Sequence, residues 1–290
     1  MRYLSPLRYP GGKGRLAPFV ADLIRSQSRR PAEYAEPFAG GAGAALRLLV
    51  DEHVRRVHIN DLNPGIAAFW RCVFFDTELF AKWIECKEVT LDAWHEHRAT
   101  YESPHGKSDI EIGFAAFFLN RCNRSGILNA RPIGGLEQEG RWKIDARFNR
   151  ENLAHRVRSL GQYHRRVRVT QLDARDFLDS LDASIEEVLV YVDPPYLVQG
   201  DALYMDSLSE EDHAALASQL RRSNLQWFLT YDAHERVTSE LYSGLRTVQF
   251  NIAHTAQVQH VGSEYAVFGD SLTIPAVDLV PRGQTRWITA

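Results

Sequence analysis

The sequence DPPY at residues 193–196 constrains this chain more than any other segment, because it follows the apolar run VLVYV at residues 188–192. A run of β-branched and aromatic residues predicts a buried strand, and in open α/β sheets ligands bind beyond the carboxyl ends of the strands. Two successive prolines fix φ and have no N–H group, so the backbone is rigid and its carbonyls remain free acceptors. The segment therefore predicts a carboxylate, carbonyl acceptors and an aromatic ring at a sheet edge. This set suits the exocyclic amine of a flat heterocycle, although a purely structural proline turn is the alternative.

Length and composition predict a soluble globular protein. The chain has 290 residues, of which 44% are hydrophobic and 24% charged, enough for one or two domains with a sizeable core. No apolar run approaches the ~20 residues that span a bilayer, and the N-terminal residues do not form a signal peptide pattern. Three scattered cysteines, Cys72, Cys86 and Cys122, favour reduced thiols over a disulfide framework. We therefore expect a cytoplasmic protein without a membrane partner.

Charge is distributed unevenly along the chain. The net charge of −3 does not by itself indicate a nucleic-acid partner, but residues 121–168 contain 12 Lys and Arg against 4 Asp and Glu. A basic segment on an acidic body is the distribution expected of a protein that contacts phosphates. A solvated helix face gives the same distribution, so both interpretations stay open.

Helix and strand patterns alternate and predict an α/β fold. Strands are expected at residues 33–35, 56–59, 167–170, 188–192, 225–230, 245–250 and 264–269. Helices are expected at residues 13–27, 42–51, 78–101 and 109–120, and from Pro64 and Ser209 onward. Residues 123–148 contain four glycines and one proline and predict a long loop or hairpin. We expect an α/β body from residues 1–69 and 161–290, and a mostly helical, partly basic insertion at residues 70–160.

Two turns after the first strands carry residue types typical of nucleotide sites. The sequence EPFAGGAG at residues 36–43 allows a tight turn and close approach of a ligand to the backbone. Its spacing is not G-x-G-x-x-G, and a structural Gly-rich turn would look similar. Asp61 ends the next strand, ~20 residues after Gly40, where a carboxylate can accept from both hydroxyls of a ribose. An Asp at this position also caps helices well, so a structural role is the alternative.

Two other possible sites are excluded by their residues. The sequence RYPGGKG at residues 8–14 is not a P-loop, because the first Gly of G-x-x-x-x-G-K-[ST] and the Ser or Thr after Lys13 are missing. His95 and His97 are two residues apart, do not share a helix face, and have no nearby Cys or His to complete a ligand set. No metal site is therefore predicted.

Taken together, the motifs resemble the amino-group DNA methyltransferases, and most closely the Dam-type (D12 class, α group) adenine-N6 family, which uses S-adenosyl-L-methionine. The resemblance rests on the aromatic–Gly-Gly-Lys motif at residues 9–13, the Gly-rich turn, Asp61 and the DPPY motif, in that order. It covers nearly all of residues 8–196. It implies a class I, Rossmann-like fold with a doubly wound, mixed seven-stranded sheet that contains one antiparallel strand. It also implies that residues 70–160 are a target-recognition insertion.

The resemblance assigns roles to individual residues. The implied catalytic residues are Asp193, Pro194, Pro195 and Tyr196. The implied cofactor-binding residues are Tyr9, Lys13, Glu36, Phe38, Gly40, Gly41, Asp61, Asp176, Phe177 and Asp193. Asp173 competes with Asp176 as the acid that meets the cofactor adenine, and a helix cap is the structural alternative for Asp176. The implied DNA-binding residues are Arg121, Asn123, Arg124, Arg131 and Lys143.

We therefore expect site-specific methyl transfer to N6 of an adenine that is flipped out of duplex DNA. The alternatives are an RNA adenine methyltransferase and a catalytically inactive DNA-binding regulator on the same fold. No cysteine follows a proline, so the nucleophile signature of cytosine-C5 methyltransferases is absent. Protein-modifying relatives prefer Asn before Pro-Pro-Tyr, whereas this chain has Asp193. Residues 123–125 differ from many Dam-type members, so no target sequence is transferred, and monomer and homodimer both stay open.

Overall fold

A single eight-stranded sheet forms the centre of the computed structural model, which describes residues 4–8, 13–182, 187–197, 208–254, 260–280 and 285–289. The strand order is β3-β2-β1-β4-β5-β7-β6-β8. The strands are β1 Glu33–Glu36, β2 Arg56–Asn60, β3 Val167–Thr170, β4 Val188–Val192, β5 Gln226–Asp232, β6 Arg246–His254, β7 His260–Phe268 and β8 Thr285–Thr289.

The sheet is mixed, as expected, but it has one more strand than the sequence predicts. Strands β3, β2, β1, β4 and β5 are mutually parallel, and β7 lies antiparallel between β5 and β6. Strand β8 adds a second antiparallel strand at the edge, paired with β6, which corrects the expectation of seven strands with one antiparallel. The physical reason is that β8 covers no core. Its Trp287 is 48% exposed, so the strand has no buried face for a hydrophobic pattern to reveal.

Helices cover the sheet between its strands. The helices in the described residues are α1 Ala17–Ser26, α2 Gly43–Val50, α3 Pro64–Phe75, α4 Thr77–Cys86, α5 Leu91–Glu102, α6 Asp109–Cys122, α7 Arg150–Gly161, α8 Ala174–Asp182 and α9 Glu210–Arg222. Short 3-10 turns lie at Lys13–Leu16, Arg124–Gly126 and His164–Arg166, and a π-helical turn lies at Val237–Leu241. None of these helices is long and apolar enough to cross a membrane.

Alternate residues of the central strands enter two separate apolar cores, one on each face of the sheet. On β1, Tyr34 belongs to the core that contains residues of α1, α2, α3 and α6. Its neighbour Ala35 belongs to the core that contains residues of α8 and α9. Both faces of a mainly parallel sheet are thus buried, which explains why the central strand β4 is a continuous apolar run. The doubly wound α/β architecture is confirmed.

The helices α3–α7 lie between β2 and β3 in the chain and pack mainly on one another. Helix α3 begins at Pro64 as predicted, and the side chain of Asn63 caps it by accepting from the backbone N–H groups of Gly65 and Ile66. Helices α3 and α6 approach closely at Gly113, where an added Cβ would lie 2.7 Å from the backbone nitrogen of Phe69. The expected boundary between residues 69 and 70 falls inside α3, and the division into body and insertion stays a prediction.

The segment 123–148 is a loop with little regular structure, as predicted. An isolated antiparallel bridge joins Asn123 to Pro132. The Gln138 side chain donates to the carbonyls of Ile133 and Gly135 and accepts from the backbone N–H of Ile144. Together with backbone bonds such as that from the Ile133 N–H to the Cys122 carbonyl, these bonds hold the loop in a defined shape.

Candidate functional site

The predicted functional turns meet at one edge of the sheet. Strands β2, β1 and β4 are parallel neighbours, so their carboxyl ends lie side by side. Asp61 follows β2, the Gly-rich turn follows β1, and Asp193 follows β4. Such an edge is where ligands bind in open α/β sheets.

The Gly-rich turn is tied to Asp61 by a direct hydrogen bond. The backbone N–H of Gly40 donates to Asp61 Oδ2 at 2.8 Å, and the backbone N–H of Asn63 donates to Oδ1 at 3.0 Å. The turn has left-handed backbone at Gly40 (φ 46°) and Ala42 (φ 47°), and the Ala42 conformation is uncommon for a residue with a Cβ. The predicted proximity of Gly40 and Asp61 is therefore found. Gly41 is buried in this turn, and Phe38 is half-buried against the core beneath α8 and α9.

Asn60 is a residue of this edge that sequence reasoning missed. It is fully buried, and its Nδ2 donates to the carbonyls of Pro37 (2.9 Å) and Leu172 (3.0 Å). Its Oδ1 accepts from Thr170 Oγ1 at 2.7 Å and from the Leu172 N–H at 3.0 Å. One amide thus joins the turns after β1, β2 and β3. The only sequence signal was a polar residue at the end of an apolar strand.

Glu36 lies beneath the Gly-rich turn. Its Oε1 accepts from the backbone N–H of Ala45 at 2.9 Å and from the Tyr34 hydroxyl at 3.1 Å. Burial raises the pKa of this carboxyl to about 8, against the hydrogen bonds, which lower it. Glu36 therefore supports the start of α2 from within, and its predicted contact with a cofactor stays a prediction.

A buried lysine links three other polar groups at the same edge. Lys13 Nζ lies 2.9 Å from Glu264 Oε2, 3.1 Å from Glu264 Oε1 and 3.2 Å from Asp193 Oδ1, and it donates to the Tyr196 hydroxyl at 2.8 Å. The Tyr196 hydroxyl in turn donates to Glu264 Oε1. Lys13 is 7% exposed and Glu264 is fully buried. We call these four residues the lysine cluster.

Sequence reasoning missed Glu264. It lies on β7, 68 residues after Tyr196 in the chain. The available signal was an acid at the start of the strand expected at residues 264–269, because a buried carboxylate requires a partner. Pattern alone does not identify that partner.

The carboxylate of Asp193 is held from the neighbouring strand as well as by Lys13. Thr230 Oγ1, on β5, donates to Asp193 Oδ1 at 2.8 Å and lies 2.7 Å from the Tyr191 hydroxyl. Burial raises the pKa of Asp193, the Glu264 carboxylate raises it further, and Lys13 and Thr230 oppose that shift. Burial disfavours the charged form of Lys13, but the surrounding acidic groups raise the pKa of its ammonium well above the ordinary value. Lys13 therefore stays positively charged.

Two glycines bring Lys13 to the Gly-rich turn. An added Cβ on Gly43 would lie 3.0 Å from the backbone nitrogen of Gly14, so the two backbones are in direct contact. This contact sets the N-terminal motif against the start of α2.

Of the other predicted site residues, Tyr9 lies outside the described residues. Pro194 is buried, and Pro195 and Tyr196 are half-buried.

The acid–aromatic pair after β3 lies on the outer strand of this edge. Asp176 is exposed in the first turn of α8, and the side chain of Phe177 is buried in the core beneath that helix. The residue that caps α8 is Asp173, whose Oδ1 accepts from the backbone N–H of Arg175 at 2.8 Å. The cofactor contacts of Asp176 and of the Phe177 backbone stay predictions.

Three of the five residues expected to bind DNA are exposed on the 123–148 loop. Arg124, Arg131 and Lys143 all present their side chains to solvent. The backbone N–H of Arg124 donates to the carbonyl of Arg131 at 3.0 Å, so these two arginines are fixed as neighbours. Trp142, which sequence reasoning missed, is 63% exposed on the same loop.

Asn123 is fully buried at the base of this loop. Its Oδ1 accepts from Trp94 Nε1 at 2.7 Å, and its Nδ2 donates to the carbonyls of Ile127 (3.0 Å) and Leu128 (2.8 Å). All these bonds shape the loop. Contact of the Asn123 side chain with DNA stays a prediction, and the burial in this conformation weighs against it.

Arg121 is also engaged within the protein. Its Nε donates to the carbonyl of Arg147 at 2.7 Å, and its Nη1 donates to the carbonyl of Pro6 at 3.4 Å. Burial, together with the neighbouring guanidinium groups of Arg8 and Arg156, lowers the pKa of Arg121 to about 9. Arg121 thus holds the N-terminal segment against α6, and its contact with phosphate stays a prediction.

Part of the basic segment is used for ion pairs inside the chain. Arg158, on α7, binds the carboxylates of Glu78 and Glu85, and Arg166 binds Glu52. The charges of both arginines are therefore already paired with carboxylates of the chain. The described residues contain no group of three or more His, Cys, Asp and Glu side chains arranged to hold a metal ion.

Comparison with known proteins identifies the family. No curated protein sequence matches the chain. Among solved structures, the rRNA methyltransferase aviRa from Streptomyces viridochromogenes is similar at 14% sequence identity, with 91% of this chain and 86% of that chain covered and a TM-score of 0.38. The D12 class N6 adenine-specific DNA methyltransferase family matches residues 9–261, which include the N-terminal motif, both turns and DPPY. The chain therefore belongs to the D12 class of N6 adenine-specific DNA methyltransferases, and it is an enzyme of adenine methylation in DNA.

Proposed function

We propose that this enzyme transfers a methyl group from S-adenosylmethionine to N6 of an adenine flipped out of duplex DNA, with Asp193 as the residue that binds the amine. One observation carries the proposal: Asp193 stands at the carboxyl end of β4, fixed by Lys13 and Thr230, beside Pro194 and Tyr196. Its side chain is 23% exposed, which is the opening through which a substrate amine would reach it. The family supports DNA adenine as the substrate.

The residues at the edge of β1 and β2 suit the proposed cofactor. Asp61 supplies carboxylate acceptors for ribose hydroxyls, beside a turn whose backbone at Gly40 and Gly41 carries no side chain. We assign cofactor contacts to Lys13, Glu36, Phe38, Gly40, Gly41 and Asp61, together with Tyr9, Asp176, Phe177 and Asp193. When bound, S-adenosylmethionine supplies an electrophilic methyl group on a sulfonium.

The two oxygens of Asp193 have different tasks in this proposal. Lys13 and Thr230 both bind Oδ1, so we assign Oδ2 to one N–H of the target amine. The Pro194 carbonyl, which belongs to a backbone with restricted φ, accepts the other N–H. These two acceptors orient the nitrogen lone pair and stabilise the positive charge that develops on nitrogen during transfer. The amine proton then leaves to water.

Tyr196 stabilises the flipped base. Extruding a base from a duplex costs a few kcal/mol, and stacking on an aromatic ring returns about 1–3 kcal/mol per base. The hydroxyl of Tyr196 is anchored by Lys13 and Glu264. We propose that this anchor fixes the ring from its far end and leaves a ring face for the adenine.

The partner is double-stranded DNA, and the exposed cations of the 123–148 loop support this. We assign phosphate or base contacts to Arg124, Arg131 and Lys143, with Arg121 and Asn123 as residues that shape the same region. Residues 70–160 would form the target-recognition region, and residues 1–69 with 161–290 the catalytic body. A duplex DNA partner fits a site of action on genomic DNA in the cytoplasm.

Incorporation of tritiated methyl groups from S-adenosylmethionine tests the proposal. Wild-type protein should label unmethylated duplex DNA, and digestion of the product should yield N6-methyladenine. An RNA competitor and a single-stranded DNA competitor should reduce labelling less than unlabelled duplex does. Labelling of RNA in preference to duplex DNA would reject the proposed substrate.

A further inference from the structure

We infer that Glu264 is a positioning residue of the methyl-transfer site: it anchors Lys13 and Tyr196 so that one oxygen of Asp193 stays available to the target amine. This inference rests on the proposed function. It concerns a residue outside the four motifs and beyond residues 9–261, which match the family. It also gives a role to a fully buried acid that the mechanism above does not use directly.

Glu264 is placed by the pairing of strands β5 and β7. It is opposite Asp232 in the antiparallel register, two residues beyond Thr230 on β5. Strand β5 therefore supplies Thr230 to Asp193, and strand β7 supplies Glu264 to Lys13. In the contact between Asp193 and Lys13, strand β5 thus holds the carboxylate and strand β7 holds the ammonium.

Burial makes the pairing of Glu264 with Lys13 obligatory. A buried carboxylate without a partner is strongly unfavourable, and such groups are paired and hydrogen-bonded in proteins. Both oxygens of Glu264 lie within hydrogen-bond distance of Lys13 Nζ, at 2.9 and 3.1 Å. Glu264 thus determines where the ammonium stands.

One ammonium is shared between two carboxylates, and this sharing limits its hold on Asp193. The contact of Lys13 Nζ with Asp193 Oδ1, at 3.2 Å, is longer than either contact with Glu264. A lysine ammonium has only three N–H donors, and Glu264 and the Tyr196 hydroxyl already take part of them. Without the charge of Glu264, the ammonium would be drawn to Asp193 alone and would compete with the substrate amine for that carboxylate.

Glu264 also orients the aromatic ring on which the adenine would stack. The Tyr196 hydroxyl donates to Glu264 Oε1 and accepts from Lys13, so it has a defined direction for both its hydrogen and a lone pair. A phenol held at its oxygen can swing less about the Cα–Cβ bond, so the ring stays in one place. Loss of Glu264 would therefore release both the ring and the ammonium.

Neighbouring charges give this role a measurable pH signature. The titratable groups that interact with Asp193 come from several elements and are Lys13, Glu264, Tyr191, Tyr34, Glu36 and Tyr231. The Glu264 carboxylate raises the pKa of Asp193, and activity requires Asp193 ionised. Removing that charge should therefore move the acid limb of the rate to lower pH, in addition to lowering the rate.

Glu264→Gln and Glu264→Asp separate charge from position. We expect both variants to lower the single-turnover rate of methyl transfer by about ten-fold or more, because small misplacements of reacting groups are costly. Only Glu264→Gln should shift the acid limb to lower pH, since Glu264→Asp keeps the charge. A Glu264→Gln variant with the wild-type rate, or with a lowered rate and an unmoved limb, would overturn the inference.

Glu33→Gln is the matched control. Glu33 is also a buried carboxylate with cationic and histidine partners, Arg56 and His58, but it lies at the amino end of β1. The Glu33→Gln change removes a buried carboxylate from the same sheet and leaves all contacts of the lysine cluster in place. We expect the acid limb of Glu33→Gln to coincide with that of the wild type.

Acylation of Lys13 supplies a readout that does not depend on methyl transfer. A lysine held by two carboxylates reacts slowly with acetic anhydride, because only the neutral amine is nucleophilic. Mass spectrometry should find faster labelling of Lys13 in Glu264→Gln than in the wild type, Glu264→Asp or Glu33→Gln. If the wild type transfers no methyl group to DNA or RNA, the proposed function is wrong. If acetylation of Lys13 in Glu264→Gln is as slow as in the wild type, the positioning role of Glu264 is wrong.

Discussion

Lys13 and Glu264 form a buried ion pair, with Nζ 2.9 Å from Oε2, across 251 positions of sequence. The pair fastens the N-terminal motif to strand β7 at the edge where Asp193 stands. A pair in this position affects stability as well as chemistry. Breaking one half leaves an uncompensated buried charge, whereas replacing both halves with apolar groups of similar size is often neutral.

Lys13→Met should therefore destabilise the protein by about 3 kcal/mol or more, because the buried Glu264 carboxylate loses its countercharge and keeps only the hydrogen bond from Tyr196. The double variant Lys13→Met/Glu264→Leu should recover most of that loss while remaining inactive. Urea unfolding monitored by circular dichroism measures both effects. The expectation fails if the single variant is as stable as the wild type, or if the second change lowers stability further.

Asp193→Ala should abolish methyl transfer and largely spare the fold. The other members of the lysine cluster retain one another, since Lys13 still binds Glu264 and Tyr196. Losing a preorganised acceptor for developing charge costs about 100–1,000-fold in rate. Asp193→Asn tests charge at nearly constant volume and should also be inactive. Turnover near the wild-type level in a folded Asp193→Ala protein would rule out the amine-binding role.

Glu36 should make the stability of the protein depend on pH. Its pKa is about 8 in the folded protein against an ordinary value of 4.5, because burial disfavours its charged form. The unfolded chain therefore loses this proton first, and Glu36 makes folding less favourable as the pH rises from about 4.5 towards about 8. Glu36→Gln, which is neutral at every pH, should match the wild type near pH 5 and exceed its stability at pH 8.5 by the order of a few kcal/mol.

Thermal or urea unfolding at both pH values checks this prediction. Glu88→Gln is the control, because Glu88 is exposed between α4 and α5. Its difference from the wild type should be the same at both pH values. If the Glu36→Gln difference also fails to grow with pH, then Glu36 is ionised in the folded protein.

The sheet edge could be predicted because its signals are local. Strand β4 is a continuous apolar run, and the spacing from Gly40 to Asp61 matches two turns at the ends of adjacent parallel strands, which a hydrogen bond joins. Strand β8 escaped prediction because it buries no face. The pairing of β6 with β8 depends on backbone hydrogen bonds, which side-chain patterns do not record.

The remaining differences concern polar side chains whose partners are distant in sequence. Glu264, Asn60 and Asn123 are all buried and bonded to groups on other elements. A sequence shows that such a residue needs a partner but does not identify the partner. The same limit applies to Arg121, because its bonds to the carbonyls of Pro6 and Arg147 could not be predicted from the sequence.

Arg124 and Arg158 provide a matched pair for testing the DNA surface. Both belong to the basic segment, but Arg124 is exposed on the 123–148 loop, whereas Arg158 is bound to Glu78 and Glu85. Arg124→Ala should weaken DNA binding and, if it loses a phosphate contact, reduce the slope of log K against log salt by about 1. Affinity for S-adenosylmethionine should be unchanged. Arg158→Ala should leave the salt slope unaltered, because its charge is already neutralised within the chain.

Fluorescence anisotropy over a salt series measures the slope for DNA binding, and calorimetry measures the affinity for S-adenosylmethionine. Equal loss of DNA and cofactor affinity in Arg124→Ala, or an equal change of slope in both variants, would show that the loop has no dedicated part in DNA binding.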